Sequence, residues 1–160
     1  MKKVLLIFAL MIFYQASFAQ KISETDSLEI TRKIGDWYEG WENKDVELTC
    51  KWYSQDADFT NAFGFNMIGK LNIQEYLTEV FGFDFVMSGK TVQTSIKFKP
   101  VSDKAILVIT TSERKGQETS DNKDIGTRNT THYRLFEKNG EWVITAHLIS
   151  DARSTESEKH

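Results

Sequence analysis

The spacing of the apolar residues changes once along this chain, and that change constrains the fold more than any other feature. Residues 30–41 and 73–81 place apolar side chains three or four positions apart, which predicts two amphipathic helices with a short helix between them at residues 45–53. Four later segments alternate with a period of two, as strands do: residues 91–99, 104–113, 129–137 and 141–150. Three helices followed by antiparallel strands predict an α+β domain.

One further strand is predicted among the helices. Residues 58–63 alternate polar and aromatic side chains, as a half-buried strand does. Gly64 and Gly69 bracket a hairpin after it, and Gly82 ends the last helix.

The composition is that of one globular domain. The 160 residues include 20 Lys and Arg against 23 Asp and Glu, with 40% hydrophobic residues and one Pro, which excludes a disordered or collagen-like chain. Because the charge is slightly acidic, a nucleic-acid partner is not predicted.

The first residues are typical of a secretory signal peptide. Lys2 and Lys3 precede an apolar run over residues 4–13, and small residues follow at Ser17 and Ala19. A spanning helix needs about 20 apolar residues, so the run is too short for one. The sequence predicts a signal peptide at residues 1–19 and an exported protein without a membrane segment after cleavage. Periplasm and medium both remain open as the destination.

Cys50 is the one cysteine of the chain. It shares a helical face with Val46 and Tyr53, so we expect inert burial rather than a nucleophile. A reactive thiol needs a His or a cation beside it, and the neighbouring sequence supplies neither.

The last two strands form a predicted hairpin around Asn139-Gly140, a strong signal for a two-residue turn. This register places Lys138 opposite Glu141 and His132 opposite His147. Neither face of the hairpin is wholly polar, so we expect helices to cover one face and a second subunit the other.

The histidine pair allows two interpretations. Neutral, hydrogen-bonded histidines at a dimer face would make dimerisation weaker in acid. A shared metal ion would need a third ligand, and no Asp, Glu or Cys pairs with them in this register. No metal site is therefore predicted.

Three segments together resemble a known superfamily. They are residues 45–64 (DVELTCKWYSQDADFTNAFG), Gly69 at the start of a helix, and the terminal strand with Gly140-Glu141-Trp142-Val143-Ile144 and Ser150. They are similar to the SnoaL-like superfamily, and more narrowly to its SgcJ/EcaC-type group. The resemblance implies the fold of nuclear transport factor 2, a cone of three N-terminal helices packed on a curved antiparallel sheet and commonly dimeric through the outer sheet face. The resemblance covers residues 30–150, and the domain is expected to span residues 20–150, followed by a polar tail at 151–160.

The resemblance does not carry over a catalytic set. The ketosteroid isomerases of this superfamily place an Asp base where this chain has Asn61, and an oxyanion-hole Tyr where it has Trp37. An amide does not take up a proton at neutral pH. The pocket His of other members falls at Leu148, and strand alternation turns the adjacent His147 to the opposite face. No catalytic residue and no cofactor is predicted, and enzymatic activity stays open.

The residues expected to point into the cone are mostly aromatic. If Phe59 lies in the core, then Asn61 and Phe63 point the same way by alternation. The candidate ligand-binding residues, with Asn61 and Tyr133 as polar contacts, are Trp37, Trp41, Phe59, Asn61, Phe63, Tyr76, Tyr133 and Leu148. An apolar wall with polar handles is typical of small-molecule pockets.

The sequence thus favours an exported, dimeric protein that binds a small, largely apolar molecule. One alternative is an isomerase, lyase or hydrolase that uses polar groups of the pocket. The other is a protein-interaction module that uses the outer sheet face and has a filled cone.

Overall fold

The computed structural model describes residues 22–152. The helices are α1 (Glu24–Glu42), α2 (Val46–Cys50), α3 (Lys70–Phe81) and α4 (Asp84–Met87). The strands are β1 (Tyr53–Thr60), β2 (Asn66–Ile68), β3 (Lys90–Ser102), β4 (Ala105–Lys115), β5 (Arg128–Asn139) and β6 (Glu141–Ala152). The predicted signal peptide at residues 1–19 and the last part of the predicted tail lie outside the described residues.

The helix boundaries follow from local capping. The Ser23 hydroxyl accepts a hydrogen bond from the Asp26 amide at 3.0 Å, and the Asp45 carboxylate accepts one from the Leu48 amide at 2.9 Å. Gly40 lets α2 pack closely on α1, because a Cβ there would lie 2.5 Å from the Thr49 nitrogen. No helix within residues 22–152 has both the length and the apolar content needed to cross a membrane.

The sheet is mixed, which corrects the predicted antiparallel sheet. Its strand order is β2-β1-β6-β5-β4-β3, and β1 runs parallel to β6 while every other neighbouring pair is antiparallel. The chain leaves β2, passes through α3 and α4 to the far edge, and then returns strand by strand. The last strand therefore arrives beside β1 in the same direction.

A fourth helix, α4, adds to the three predicted helices. Its four residues make little more than one turn, too short for a hydrophobic period to show in the sequence. It follows α3 directly and lies near the open end of the cone.

Helix α2 is shorter than predicted, since Tyr53 already begins β1. Cys50 is buried as expected, and burial raises the pKa of its thiol to about 12.

The register of the last hairpin differs from the predicted one. Asn139 pairs with Glu141, one residue away from the predicted turn. A bulge follows, because Phe136 pairs with Ile144 while Leu135 pairs with Ala146, so that Thr145 is an extra residue.

The bulge reverses the sides of the residues that follow it. Ile144 and His147 both face the helices, whereas strict alternation would separate them. The predicted pairing of His132 with His147 is wrong, since Arg134 pairs with His147 and His132 with Ile149. Both histidines are buried against the helix layer, which also corrects their predicted position at a dimer face.

The last strand continues to Ala152, two residues past the predicted domain end at 150. The Asp151 carboxylate accepts a hydrogen bond from the Arg128 Nε at 2.8 Å, which holds this end of β6 against β5. Residues 153–160 lie outside the described part of the chain.

Candidate functional site

The cone encloses a cavity of about 360 Å³ that is open at one end. Its walls come from α1, α3, α4, the turn after β1, and the concave side of β3 to β6. Six of the predicted site residues line it: Trp37, Trp41, Phe59, Asn61, Phe63 and Tyr76. A cavity of this size falls within the range of small-molecule sites, about 300–1,000 Å³.

Tyr133 and Leu148 do not line the cavity, contrary to the prediction. They pair with each other across β5 and β6 on the convex face of the sheet and are 37% and 47% exposed. Leu148 lies on the convex face because of the bulge at Thr145, which puts it on the opposite side from the buried Ile144. Tyr133 lies outside because its neighbours His132 and Arg134 occupy the concave side.

Aromatic rings form the inner wall and the mouth of the cavity. Trp37 and Trp41 stack with ring centroids 5.4 Å apart. At the mouth, four phenylalanines line the cavity and are at least 42% exposed: Phe63, Phe65, Phe83 and Phe85. The entrance is therefore a rim of exposed aromatic side chains that an apolar ligand would cross.

Asn61 shapes this mouth rather than offering a free amide. Its Oδ1 accepts hydrogen bonds from the Phe63 and Phe65 amides at 2.8 and 3.0 Å. Its Nδ2 donates to the Tyr76 hydroxyl oxygen at 2.6 Å. The polar group that this arrangement turns toward a ligand is the Tyr76 O–H, whose hydrogen is not needed for the bond to Asn61.

The opposite wall is polar and partly cationic. Arg114 donates to the Glu42 carboxylate at 3.0 Å, and Arg128 donates to Asp151 at 2.8 Å, so both guanidinium groups have acidic partners. Ser112 and Thr130 share a hydrogen bond of 2.7 Å on the same wall.

A chain of buried polar side chains lies behind this wall and ends in it. The Tyr53 hydroxyl lies 2.5 Å from His147 Nδ1, and His147 Nε2 lies 3.0 Å from His132 Nδ1. Arg134 Nη2 donates to the same His132 nitrogen at 3.1 Å. His132 is the member of the chain that lines the cavity.

Burial controls the protonation of these groups. Burial first, and the Arg134 charge second, hold the pKa of His132 and His147 well below the usual value, so both rings are neutral at pH 7. Burial also raises the pKa of Tyr53, which keeps its proton.

Tyr53 and Arg134 belong to the site but are not among the site residues predicted from the sequence. Arg134 gives a signal only in combination, because it shares its side of β5 with His132 and Phe136. A cation flanked in this way on one strand face is either solvated or held by polar partners, and the fold decides which.

The lining has hydrogen-bond donors but no carboxylate. Within residues 22–152, no Asp or Glu lines the cavity, so a carboxylate general base is not placed there. In the same part of the chain, no three His, Cys, Asp or Glu residues come together as metal ligands would. The arrangement is suited to hold and orient a ligand through its apolar surface and a few donated hydrogen bonds.

Solved structures share this architecture. An uncharacterised protein with a cystatin-like fold from Caulobacter vibrioides superposes with a TM-score of 0.72 at 14% identity, over 84% of this chain and 94% of that one. An NTF-2-like protein from Shewanella oneidensis MR-1 superposes with a TM-score of 0.62 at 19% identity, over 78% of this chain and 98% of that one. A candidate scytalone dehydratase from Novosphingobium aromaticivorans superposes with a TM-score of 0.64 at 15% identity, over 82% of this chain and 87% of that one.

No family model and no curated protein matches the sequence. The structural similarity nevertheless shows that the chain has the fold of nuclear transport factor 2-like proteins, also described as cystatin-like, which confirms the fold implied by the resemblance. At these identities the similarity defines the fold alone, since proteins of one fold carry out many functions.

Proposed function

We propose that this protein is an exported member of the SnoaL-like group that binds a small, largely apolar molecule in its cone. The observation that carries the proposal is the cavity of about 360 Å³, with aromatic rings on its inner wall and at its mouth. A protein-interaction module would have a filled cone, so the cavity favours a small ligand. Pockets that combine apolar walls with a few fixed polar groups are typical of small-molecule sites.

A homodimer through the convex sheet face is part of the proposal. Tyr133 and Leu148 lie beside each other there, and the half-buried Ile109 pairs with Tyr133 on the next strand. Leu107 and Leu135 form a second apolar row across the same strands. Adjacent apolar rows on an exposed sheet face are a common feature of interfaces.

An enzymatic role is supported less well. Its support is that one structural neighbour is a candidate scytalone dehydratase. Within residues 22–152, however, the lining contains neutral donors and two paired arginines rather than a base of raised pKa. Binding is therefore the function that the geometry favours.

The test uses 2-naphthalenemethanol, an apolar probe with one hydroxyl, and isothermal titration calorimetry on the mature protein. Two neighbouring substitutions separate the cavity from the outer face. Ile149→Trp fills the cavity from β6, whereas Leu148→Trp adds the same side chain on the convex side.

We expect the wild type and Leu148→Trp to bind the probe alike, and Ile149→Trp to lose at least about tenfold in affinity because the added ring occupies the space. Circular dichroism checks that both variants fold. Equal binding by both variants, or no binding by the wild type, would contradict the proposal.

A further inference from the structure

Arg134 is a buried cation without an acidic partner. Its side chain is fully buried, and among residues 22–152 no carboxylate pairs with it. It donates to the Thr110 hydroxyl at 2.9 Å and to His132 at 3.1 Å, and it lies over the Trp37 ring at 4.7 Å. A guanidinium stays charged in proteins, and an isolated buried charge is costly unless a counter-charge compensates it.

The arginine also fixes the direction of the polar chain. Because Arg134 has only donors, His132 Nδ1 must be an acceptor. His147 Nε2 then donates to the same lone pair, which it shares with Arg134, and this leaves His147 Nδ1 to accept the Tyr53 hydroxyl proton. In the neutral His132 ring, the one remaining hydrogen lies on Nε2.

His132 Nε2 is the end of the chain at the cavity wall. Its contact within the described residues is the Thr130 hydroxyl at 3.4 Å, a long distance for a hydrogen bond. Thr130 has a shorter bond of 2.7 Å with Ser112. A ligand oxygen beside His132 would therefore meet an N–H donor that is only weakly engaged.

The charges around this donor favour a negative ligand atom. Arg114 on β4 and Arg128 at the start of β5 are paired with Glu42 and Asp151, so they are largely neutralised. The tyrosines beside Arg134, Tyr38 and Tyr53, are not acidic residues. The unbalanced positive charge thus lies directly behind the His132 ring, and interactions of this kind are stronger in a site shielded from water.

We infer that the cavity selects ligands whose apolar body carries an anionic oxygen, a carboxylate or a phenolate, which binds the Nε2–H of His132. This inference rests on the proposed function and names the class of ligand. The bound oxyanion would supply the counter-charge that Arg134 lacks among the described residues.

The test compares naphthalene-2-carboxylate with 2-naphthalenemethanol, two probes of nearly the same shape, by calorimetry at pH 7.5. We expect the wild type to bind the carboxylate at least about tenfold more tightly, as one charge-assisted hydrogen bond would give.

Two variants locate the preference. His132→Asn retains an acceptor toward Arg134 but lacks the donor at the cavity, and Arg134→Met removes the charge. Each is expected to reduce the preference for the carboxylate to about threefold or less, because the affinity for the carboxylate falls much more than the affinity for the alcohol. His132→Gln, whose amide can reach the position of Nε2, should recover part of the preference.

The outcomes separate this inference from the proposed function. Equal affinity of the wild type for both probes overturns the inference and leaves apolar binding intact. A preference that survives in Arg134→Met and His132→Asn also overturns it, because the anion then binds elsewhere, as at Arg114 or Arg128. Failure of both probes to bind contradicts the proposed function itself.

A measurement without ligand gives an independent check. Nitrogen-15 NMR of the histidine rings should show the hydrogen of His132 and of His147 on Nε2 at pH 7.5. The opposite tautomer at His132 would overturn the assignment even if the variants fail to fold.

Discussion

The two faces of β5 and β6 contradict the usual distribution of polar and apolar residues. The concave face buries His132, Arg134 and His147 completely or nearly so. The convex face of the same two strands exposes Tyr133 and Leu148. Adjacent residues of one strand therefore differ in both polarity and exposure, in the opposite sense to a simple inside-apolar pattern.

This difference shows what burial of polar groups requires. The concave polar groups hydrogen-bond one another, from Tyr53 through both histidines to Arg134 and Thr110. A polar group that is hydrogen-bonded is far less costly to bury than an unpaired one. The convex apolar residues, by contrast, add to stability only if another surface covers them and removes them from water.

The largest effect is expected from truncating the apolar part of the concave face. Phe136→Ala removes a fully buried ring, and Leu135→Ala removes a half-buried side chain at the next position. We expect losses in the free energy of unfolding of about 3–5 kcal/mol for Phe136 and about 1 kcal/mol for Leu135 in the monomer. Urea denaturation measures both, and losses of similar size would mean that the two faces are equally packed.

Acid should destabilise the fold through the concave histidines. The folded chain keeps both rings neutral, whereas the unfolded chain takes up a proton on each as the pH falls through about 6.5, so acid favours the unfolded state. Between pH 7.5 and 5.5 the two rings together should reduce the free energy of unfolding by about 2.7 kcal/mol.

Urea denaturation at the two pH values checks this, and His132→Gln should show about half of the decrease. Asp26 does not interfere with this measurement. Its pKa is lowered to about 2, mainly by the hydrogen bond from Lys138, so its effect on stability falls at a more acidic pH than the range tested. If the free energy of unfolding does not change between pH 7.5 and 5.5, the histidines take up protons in the folded protein as well, which contradicts the prediction.

Removing the Tyr53 hydroxyl, the first member of the polar chain, should lower the free energy of unfolding by less than acid does. Tyr53→Phe keeps the ring in place but leaves His147 Nδ1 without the hydroxyl that lies 2.5 Å away. An unsatisfied buried acceptor costs about 1–3 kcal/mol. Thermal denaturation measures the loss, and Tyr38→Phe, whose hydroxyl bond to Thr110 is longer at 3.3 Å, is the matched control.

The smallest effect on the folded monomer is expected at the convex face. Leu148→Glu places a charge on a half-exposed position, so the free energy of unfolding should change by no more than about 0.5 kcal/mol. The same substitution should dissociate the proposed dimer in sedimentation experiments. A dimer that persists in Leu148→Glu and in Tyr133→Glu would show that the subunits associate elsewhere.

The sequence predicts the parts of the site that depend on local periodicity. Trp37 and Trp41 are four positions apart on one helix, so the helical period alone brings them to one wall. Phe59 on β1 and Asn61, just after its end at Thr60, follow from the alternation of residues 58–63. The strands β3 to β6 follow from the same alternation, and the end of α3 at Gly82 follows from the glycine as a stop signal.

The remaining parts depend on contacts that no local pattern contains. The parallel pairing of β1 with β6 joins residues about ninety positions apart, and the side of Leu148 depends on one bulge. Arg134 was missed because a buried cation is intelligible only together with Thr110, His132 and Trp37, which three different elements supply.

The extra residue at Thr145 makes the length of the last strand as important as its composition. Deleting Thr145 would remove the extra residue and leave Ile144, His147 and Ile149 on the concave side, whereas regular pairing that kept all the residues would bring Leu148 into the cavity and turn His147 and Ile149 outward. An alignment of distant proteins of this fold that counts straight through the bulge would match cavity residues with surface residues. A change from bulged to regular pairing at constant length, more than single substitutions, would give such proteins a direct route from one cavity chemistry to another.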